Sequence, residues 1–248
     1  MSSVLSAFKN SGDLDGVEWV MSEMEKSSNG TRPDIKTFKI MINACVSVVP
    51  PDVERAWRWF RHIEQKGLKP DVATYASLIH VHAMAGDLAE AKKVFAMIEK
   101  DGMTPDKASW SFLIKAHGRS KHFGVAEASG LVELMLTKGM NSMNAACKND
   151  DTTELCSQII KWICKRGDVV CAEKVLRVME RRGVSLSQEM FNIVFETIHS
   201  KALGSAEPSL ALKKVKARLG QMARSRSART SMGAERPRSF FEAWDIKD

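Results

Sequence analysis

The chain of 248 residues is 44% hydrophobic and 27% charged, with a net charge of +7, which suits a soluble globular protein with an ample core. No apolar run approaches the roughly 20 residues that cross a bilayer, so membrane insertion is not expected. From Lys201 to Asp248 there are 11 Lys or Arg against 5 Asp or Glu, so that stretch holds nearly all of the excess and the first 200 residues are close to neutral.

The opening MSSVLSAFKNSGDLDGVEWV has neither a basic n-region with an apolar h-region nor the Arg-rich, acid-poor character of a transit peptide. It reads as a chain whose import sequence is gone or that begins inside a longer product. The five cysteines, Cys45, Cys147, Cys156, Cys164 and Cys171, contain no C-x-x-C pair and fit reduced packing thiols better than zinc ligands. His62, His80, His82, His117, His122 and His199 show no metal spacing either, and no metal or cofactor is expected.

A glycine recurs along the chain at Gly30, Gly67, Gly102, Gly139 and Gly183, at intervals of 37, 35, 37 and 44 residues. A second anchor lies between them: AGDLAEA at 85–91 returns as SGDLDGV at 11–17 and RGDVVCA at 166–172. Each unit is therefore two segments joined at a Gly-Asp. In the central unit Tyr75, Leu78, Ile79 and His82 fall at helical spacing, and Leu88, Ala91, Val94, Phe95 and Ile98 form a second helical stripe. Gly86 can end the first helix in the left-handed region, and Asp87 with Glu90 is a capping-box pattern for the second. Units this short cannot bury their stripes alone, so the expected fold is all-α, an α-solenoid of helix-turn-helix repeats.

The unit VATYASLIHVHAMAGDLAEAKKVFAMIEKDGMTPD, 72–106, closely resembles a pentatricopeptide repeat: Thr-Tyr near its start, Leu-Ile a turn later, Ala-Gly-Asp between the helices, Ala-x-x-Val-Phe in the second helix and Gly-x-x-Pro-Asp at its end. Residues 35–71 match with two extra residues around Pro50-Pro51, and 107–140 match more loosely. On this reading 1–34 is a partial first repeat, 35–187 an array of about four repeats, 188–222 an incomplete last repeat with a closing helix, and 223–248 a basic low-complexity tail.

The resemblance implies a single-stranded RNA partner in mitochondria or chloroplasts, at about one base per repeat. It also implies that the fifth residue of each first helix and the last residue of the repeat flank a base. Carried onto this sequence, those pairs are Lys39 with Asp71, Ala76 with Asp106, Ser111 with Met143 and Ser157 with Ser187, while Asn192 stands alone in the last unit. Only the Asn and Ser positions have the short polar character of a base reader, and Ala76 offers neither donor nor acceptor. Asp34, Asp71 and Asp106 each follow Pro and precede a helix, which makes helix capping the stronger expectation for all three. Trp57, Trp59 and Phe60 lie in a second helix, with Phe60 expected in the core and Trp57 or Trp59 a candidate partner contact if exposed.

In the tail, Arg224, Arg226, Arg229, Arg236 and Arg238 suit RNA phosphates, and Phe240, Phe241 and Trp244 suit a protein groove. No deaminase motif, clustered nuclease aspartates, phosphate loop or nucleophile elbow occurs, so no catalysis and no small-molecule substrate are expected. Two readings stand: an organellar protein that binds single-stranded RNA in processing, stability or translation, and a non-catalytic scaffold subunit of a large organellar assembly such as a ribosome, which contacts protein subunits and structured RNA by shape.

Overall fold

The computed structural model describes residues 7, 11–26, 32–120, 125–135, 137, 148–181, 184, 190, 192–194, 196, 197 and 217. Nine helices lie among the described residues: α1 Leu14–Lys26, α2 Ile35–Ala44, α3 Val53–Gln65, α4 Val72–Ala85, α5 Leu88–Lys100, α6 Lys107–Arg119, α7 Val125–Leu134, α8 Lys148–Arg166 and α9 Val169–Arg181. The described residues form an all-helical solenoid. Met143, Cys147, Ser187 and the tail candidates Arg224, Arg226, Arg229, Arg236, Arg238, Phe240, Phe241 and Trp244 lie outside the described residues.

Aspartates start most of these helices. Asp34, Asp71 and Asp106 open α2, α4 and α6 by accepting the backbone N–H of Thr37, Thr74 and Ser109, each at 2.8 Å. Asp52, Asp87 and Asp168 do the same for α3, α5 and α9, through Arg55, Glu90 and Cys171 at 2.9, 3.1 and 2.9 Å. Such caps satisfy backbone donors that the helix leaves unpaired. The reciprocal capping box is complete at Asp34 and Thr37, whereas the Glu90 carboxylate at the second site pairs with Lys93.

Glycines stop several of the helices. Gly86, at φ 80°, lets the Asp87 N–H reach the His82 carbonyl at 3.0 Å. Gly67 and Gly102 have the same left-handed conformation and carry the equivalent bonds from Leu68 to Ile63 and from Met103 to Ile98, both at 3.0 Å.

The helices form two layers. The first helices α2, α4, α6 and α8 stack one on the next, and the second helices pack behind them. Rings set the spacing where the repeat is most regular: Phe60 of α3 meets Tyr75 of α4 at 5.2 Å, and Phe95 of α5 meets Trp110 of α6 at 4.7 Å. Aromatic pairs of this kind add about 0.5 to 1.5 kcal/mol each beyond the area they bury. The Tyr75 hydroxyl donates to the Asp101 carboxylate at the end of α5, so its burial leaves no polar atom unpaired. Beyond α6 the pattern changes, because α7 packs directly against α9.

Two expectations need adjustment. The candidate partner contacts Trp57 and Trp59 are not exposed: Trp59 is buried, and half-buried Trp57 donates from Nε1 to Nε2 of His82 at 3.0 Å. That bond fixes His82 as an acceptor at Nε2, and burial holds its pKa down against the raising effect of Asp87 and Glu90. The stripe read on α4 is also too narrow. Thr74, Ala76, Ser77, Val81 and Ala83 are buried as well, since α2, α5 and α6 all pack on this helix. Cys45, Cys156 and Cys171 are buried free thiols, and burial pushes Cys156 up to about 12.

Gly118 of α6 faces the Trp162 ring of α8 so closely that a Cβ there would lie 2.3 to 2.5 Å from three ring atoms. Gly to Ala within a helix normally stabilises by roughly 0.5 to 1 kcal/mol. Here the sign reverses, and Gly118→Ala is expected to destabilise by about 1 to 3 kcal/mol as α6 and α8 are forced apart. Urea unfolding checks this; an unchanged or raised midpoint contradicts the packing described.

Candidate nucleic-acid interface

Each first helix presents one stripe away from the second helices. On α2 this stripe includes Lys36, Lys39 and Asn43; on α4, Ala73, His80 and Met84; on α6, Ser111, Phe112, Lys115 and Arg119; and on α8, Gln158, Lys161 and Lys165. The buried Phe38, Tyr75, Trp110 and Cys156 sit around the helix from it, toward the second layer.

Lys39 and Asp71, expected to flank a base, instead hold each other, with Nζ 3.1 Å from Oδ2. The other carboxylate oxygen of Asp71 accepts the backbone N–H of Thr74 at 2.8 Å and its hydroxyl at 2.6 Å. Both oxygens of Asp71 are therefore used. Burial would raise its pKa, but the bonds from Thr74 and Lys39 outweigh that and hold it below the ordinary aspartate value.

The remaining positions are committed in similar ways. Ala76 is only 3% exposed. Asp106 accepts both the N–H and the hydroxyl of Ser109, at 2.8 and 2.7 Å. Ser111 donates to Oε1 of Gln158 at 2.9 Å, which ties α6 to α8. Ser157 is buried and donates to the Glu154 carbonyl of its own helix at 2.7 Å. Asn192 is exposed, in helical backbone beyond α9.

Other residues on this face escaped the sequence reading. One turn after each fifth position come Asn43, His80, Lys115 and Lys161, and two turns after the last two come Arg119 and Lys165. The signal was present as a fixed offset of four from Lys39, Ala76, Ser111 and Ser157. Two of these residues make contacts between successive first helices: Asn43 Nδ2 donates to Ser77 Oγ at 2.9 Å, and the His80 ring stacks on Phe112, with centroids 4.1 Å apart and planes 11° from parallel.

The face is electrically divided along the helix axes. Asp34, Asp71, Asp106 and Asp151 lie at the N-terminal ends or first turns, where helix dipoles favour negative charge, and Glu154 follows one turn further along α8. Lys107 answers part of this edge, 2.8 Å from Asp151 and 3.6 Å from Glu154. Toward the C-terminal ends stand Lys115, Arg119, Lys161, Lys165 and Arg166. The Lys165 ammonium lies 5.3 Å from the centre of the Trp162 ring, and Arg166 donates to the carbonyls of Gly118 and Ser120. Among the described residues no group of His, Cys, Asp or Glu is arranged to hold a metal ion, and no helix is long and apolar enough to cross a membrane.

Residues 2–47 and 58–120 match the family model of a pentatricopeptide repeat domain, and 154–184 match the model of a PPR repeat, so the two together take in more than half of the chain. The chain belongs to the pentatricopeptide repeat family. Solved structures share its fold. Over 78% of its length it resembles nuclear proteinaceous RNase P 2 (PRORP2) from A. thaliana, at 17% identity and a TM-score of 0.53. Over 94% it resembles the pentatricopeptide repeat protein PPR10 of maize in complex with an 18-nt psaJ RNA element, at 20% identity and a TM-score of 0.57. The chain covers 40% and 34% of those two proteins, and at these identities the likeness shows the repeat fold alone. No curated protein matches the sequence.

Because Asp71 is both cap and ion-pair partner, its removal should cost more than removal of Lys39. Asp71→Ala is expected to lower stability by about 0.5 to 2 kcal/mol, and Lys39→Met by less than about 1 kcal/mol. Chemical unfolding of both variants would show it; a larger loss for Lys39→Met than for Asp71→Ala would overturn the assignment.

Proposed function

We propose that this pentatricopeptide repeat protein is a non-catalytic binder of single-stranded RNA, held along the exposed stripe of its first helices and acting in organellar RNA processing, stability or translation. The observation that carries this reading is the row of Lys115, Arg119, Lys161 and Lys165 on the stripe of α6 and α8. Four cations on neighbouring inner helices suit a phosphate backbone, which binds largely by sequence-independent electrostatics. The organellar role comes from the family. The solved structure of like fold that holds an 18-nt RNA supports the use of such an array for RNA.

The internal bonds of the stripe shape how the RNA would be read. With Lys39 on Asp71, Ser111 on Gln158, Ser157 on its own backbone and Ala76 sealed, few donors or acceptors are left to meet base edges. Binding on this reading is mainly to the backbone, with weak base selectivity. The same bonds favour a second reading, a scaffold subunit that contacts protein and structured RNA by shape in a large organellar assembly. In both readings the arginines and aromatic residues of 223–248 supply a second contact.

Replacing Lys115, Arg119, Lys161 and Lys165 together with Ala is expected to weaken binding of an 18-nt oligouridylate by more than about tenfold at low salt. Each cation removed from a phosphate reduces the salt slope by about 0.7, so the plot of log affinity against log salt should flatten by about 2 to 3. Anisotropy titrations at several salt concentrations measure both. Unchanged affinity and slope would move the binding site off this face.

A further inference from the structure

We propose that His80 and Phe112 form a stacking platform for one nucleobase at the junction of the repeats that begin at Val72 and Lys107. This rests on the RNA-binding reading and adds to it a place where the base itself is held. The two rings lie almost parallel, 4.1 Å apart, on the exposed stripe of two successive first helices. Both are half-buried, so the pair is not sunk in the core between the layers.

Equivalent positions elsewhere show what the junction does not require. The residue in register with Phe112 is Ile40 on α2, Ser77 on α4 and Gln158 on α8, and the residue in register with His80 is Asn43 on α2. Stacking of first helices is thus served by a hydrogen bond between Asn43 and Ser77 at one junction and between Ser111 and Gln158 at another. A parallel ring pair is not needed to join the helices.

The surroundings suit a stacked base. One turn before His80 on α4 lies Ala76, buried and without a polar atom, and before it Ala73, so that turn of the stripe carries only methyl groups. Lys115 follows Phe112 by one turn of α6 and Arg119 by two, which sets positive charge beside the platform where the phosphates of a stacked nucleotide would run. Stacking on a ring accepts any base, because every base has a π-face, while phosphate contacts hold the strand in place. The junction that cannot read a base edge at Ala76 would therefore hold a base by its face.

The test uses the full chain and two 18-nt probes, oligouridylate and an abasic strand with the same number of phosphates, followed by anisotropy. Phe112→Leu is expected to weaken oligouridylate binding about five- to tenfold, with abasic binding and the salt slope unchanged, and Phe112→Trp is expected to keep wild-type affinity. If Phe112→Leu does not fold, His80→Gln carries the same comparison between the two probes. Equal loss on both probes, or no loss on oligouridylate, overturns the platform while leaving the RNA-binding reading intact. Wild-type protein that binds neither probe removes both.

Discussion

The aspartate that closes each of the first three repeats is also the residue the next helix depends on. Asp34, Asp71 and Asp106 each turn a carboxylate oxygen back onto the N–H three residues ahead, a donor that has no carbonyl partner within its own helix. Before Asp71 and Asp106, Gly67 and Gly102 end the preceding helix in the left-handed region, and Pro separates the two. Stop, turn and start are therefore fixed within five residues, and the angle at which one repeat meets the next follows. The ring pairs Phe60 with Tyr75 and Phe95 with Trp110 then lock the same step twice.

That constraint reaches the exposed face. An aspartate committed to a cap can still offer its second oxygen, but at Asp71 Lys39 takes it. Two residues that sequence places on either side of a base thus satisfy each other. Ser111 and Ser157 are drawn into contacts between and within helices in the same way. One helical turn beyond the fifth positions come His80, Lys115 and Lys161, with Phe112 next to Ser111, and these side chains suit phosphates and ring faces more than base edges.

The repeat frame was legible in the sequence because its punctuation is local. Gly-Asp and Pro-Asp place caps and stops within a few residues, and α4 and α5 fall where those signals put them. Bonds across repeats were not legible: the repeat pattern sets Lys39 beside Asp71 without showing that they bond to each other, and Ser111 meets Gln158 over 47 residues that no local pattern encodes. The burial of Ala76 was missed for a related reason. Helical periodicity finds one apolar stripe, whereas an inner helix of a solenoid is covered on three sides. The condition that Trp57 be exposed could not be decided from sequence, because nothing in AWRWF announces the buried His82 acceptor 25 residues later.

The fifth positions Lys39, Ala76, Ser111 and Ser157 and the last positions Asp71 and Asp106 are held by the protein itself, so on the proposed reading the array binds strands with little regard for sequence. Competition among 18-nt strands of uridine, adenosine, cytidine and mixed sequence for the full chain tests this directly. Affinities within about tenfold of one another are expected, since backbone charge and stacking dominate. A preference of more than about a hundredfold for one sequence would contradict it, because that would require Lys39, Ser111 or Ser157 to leave their present partners and meet base edges.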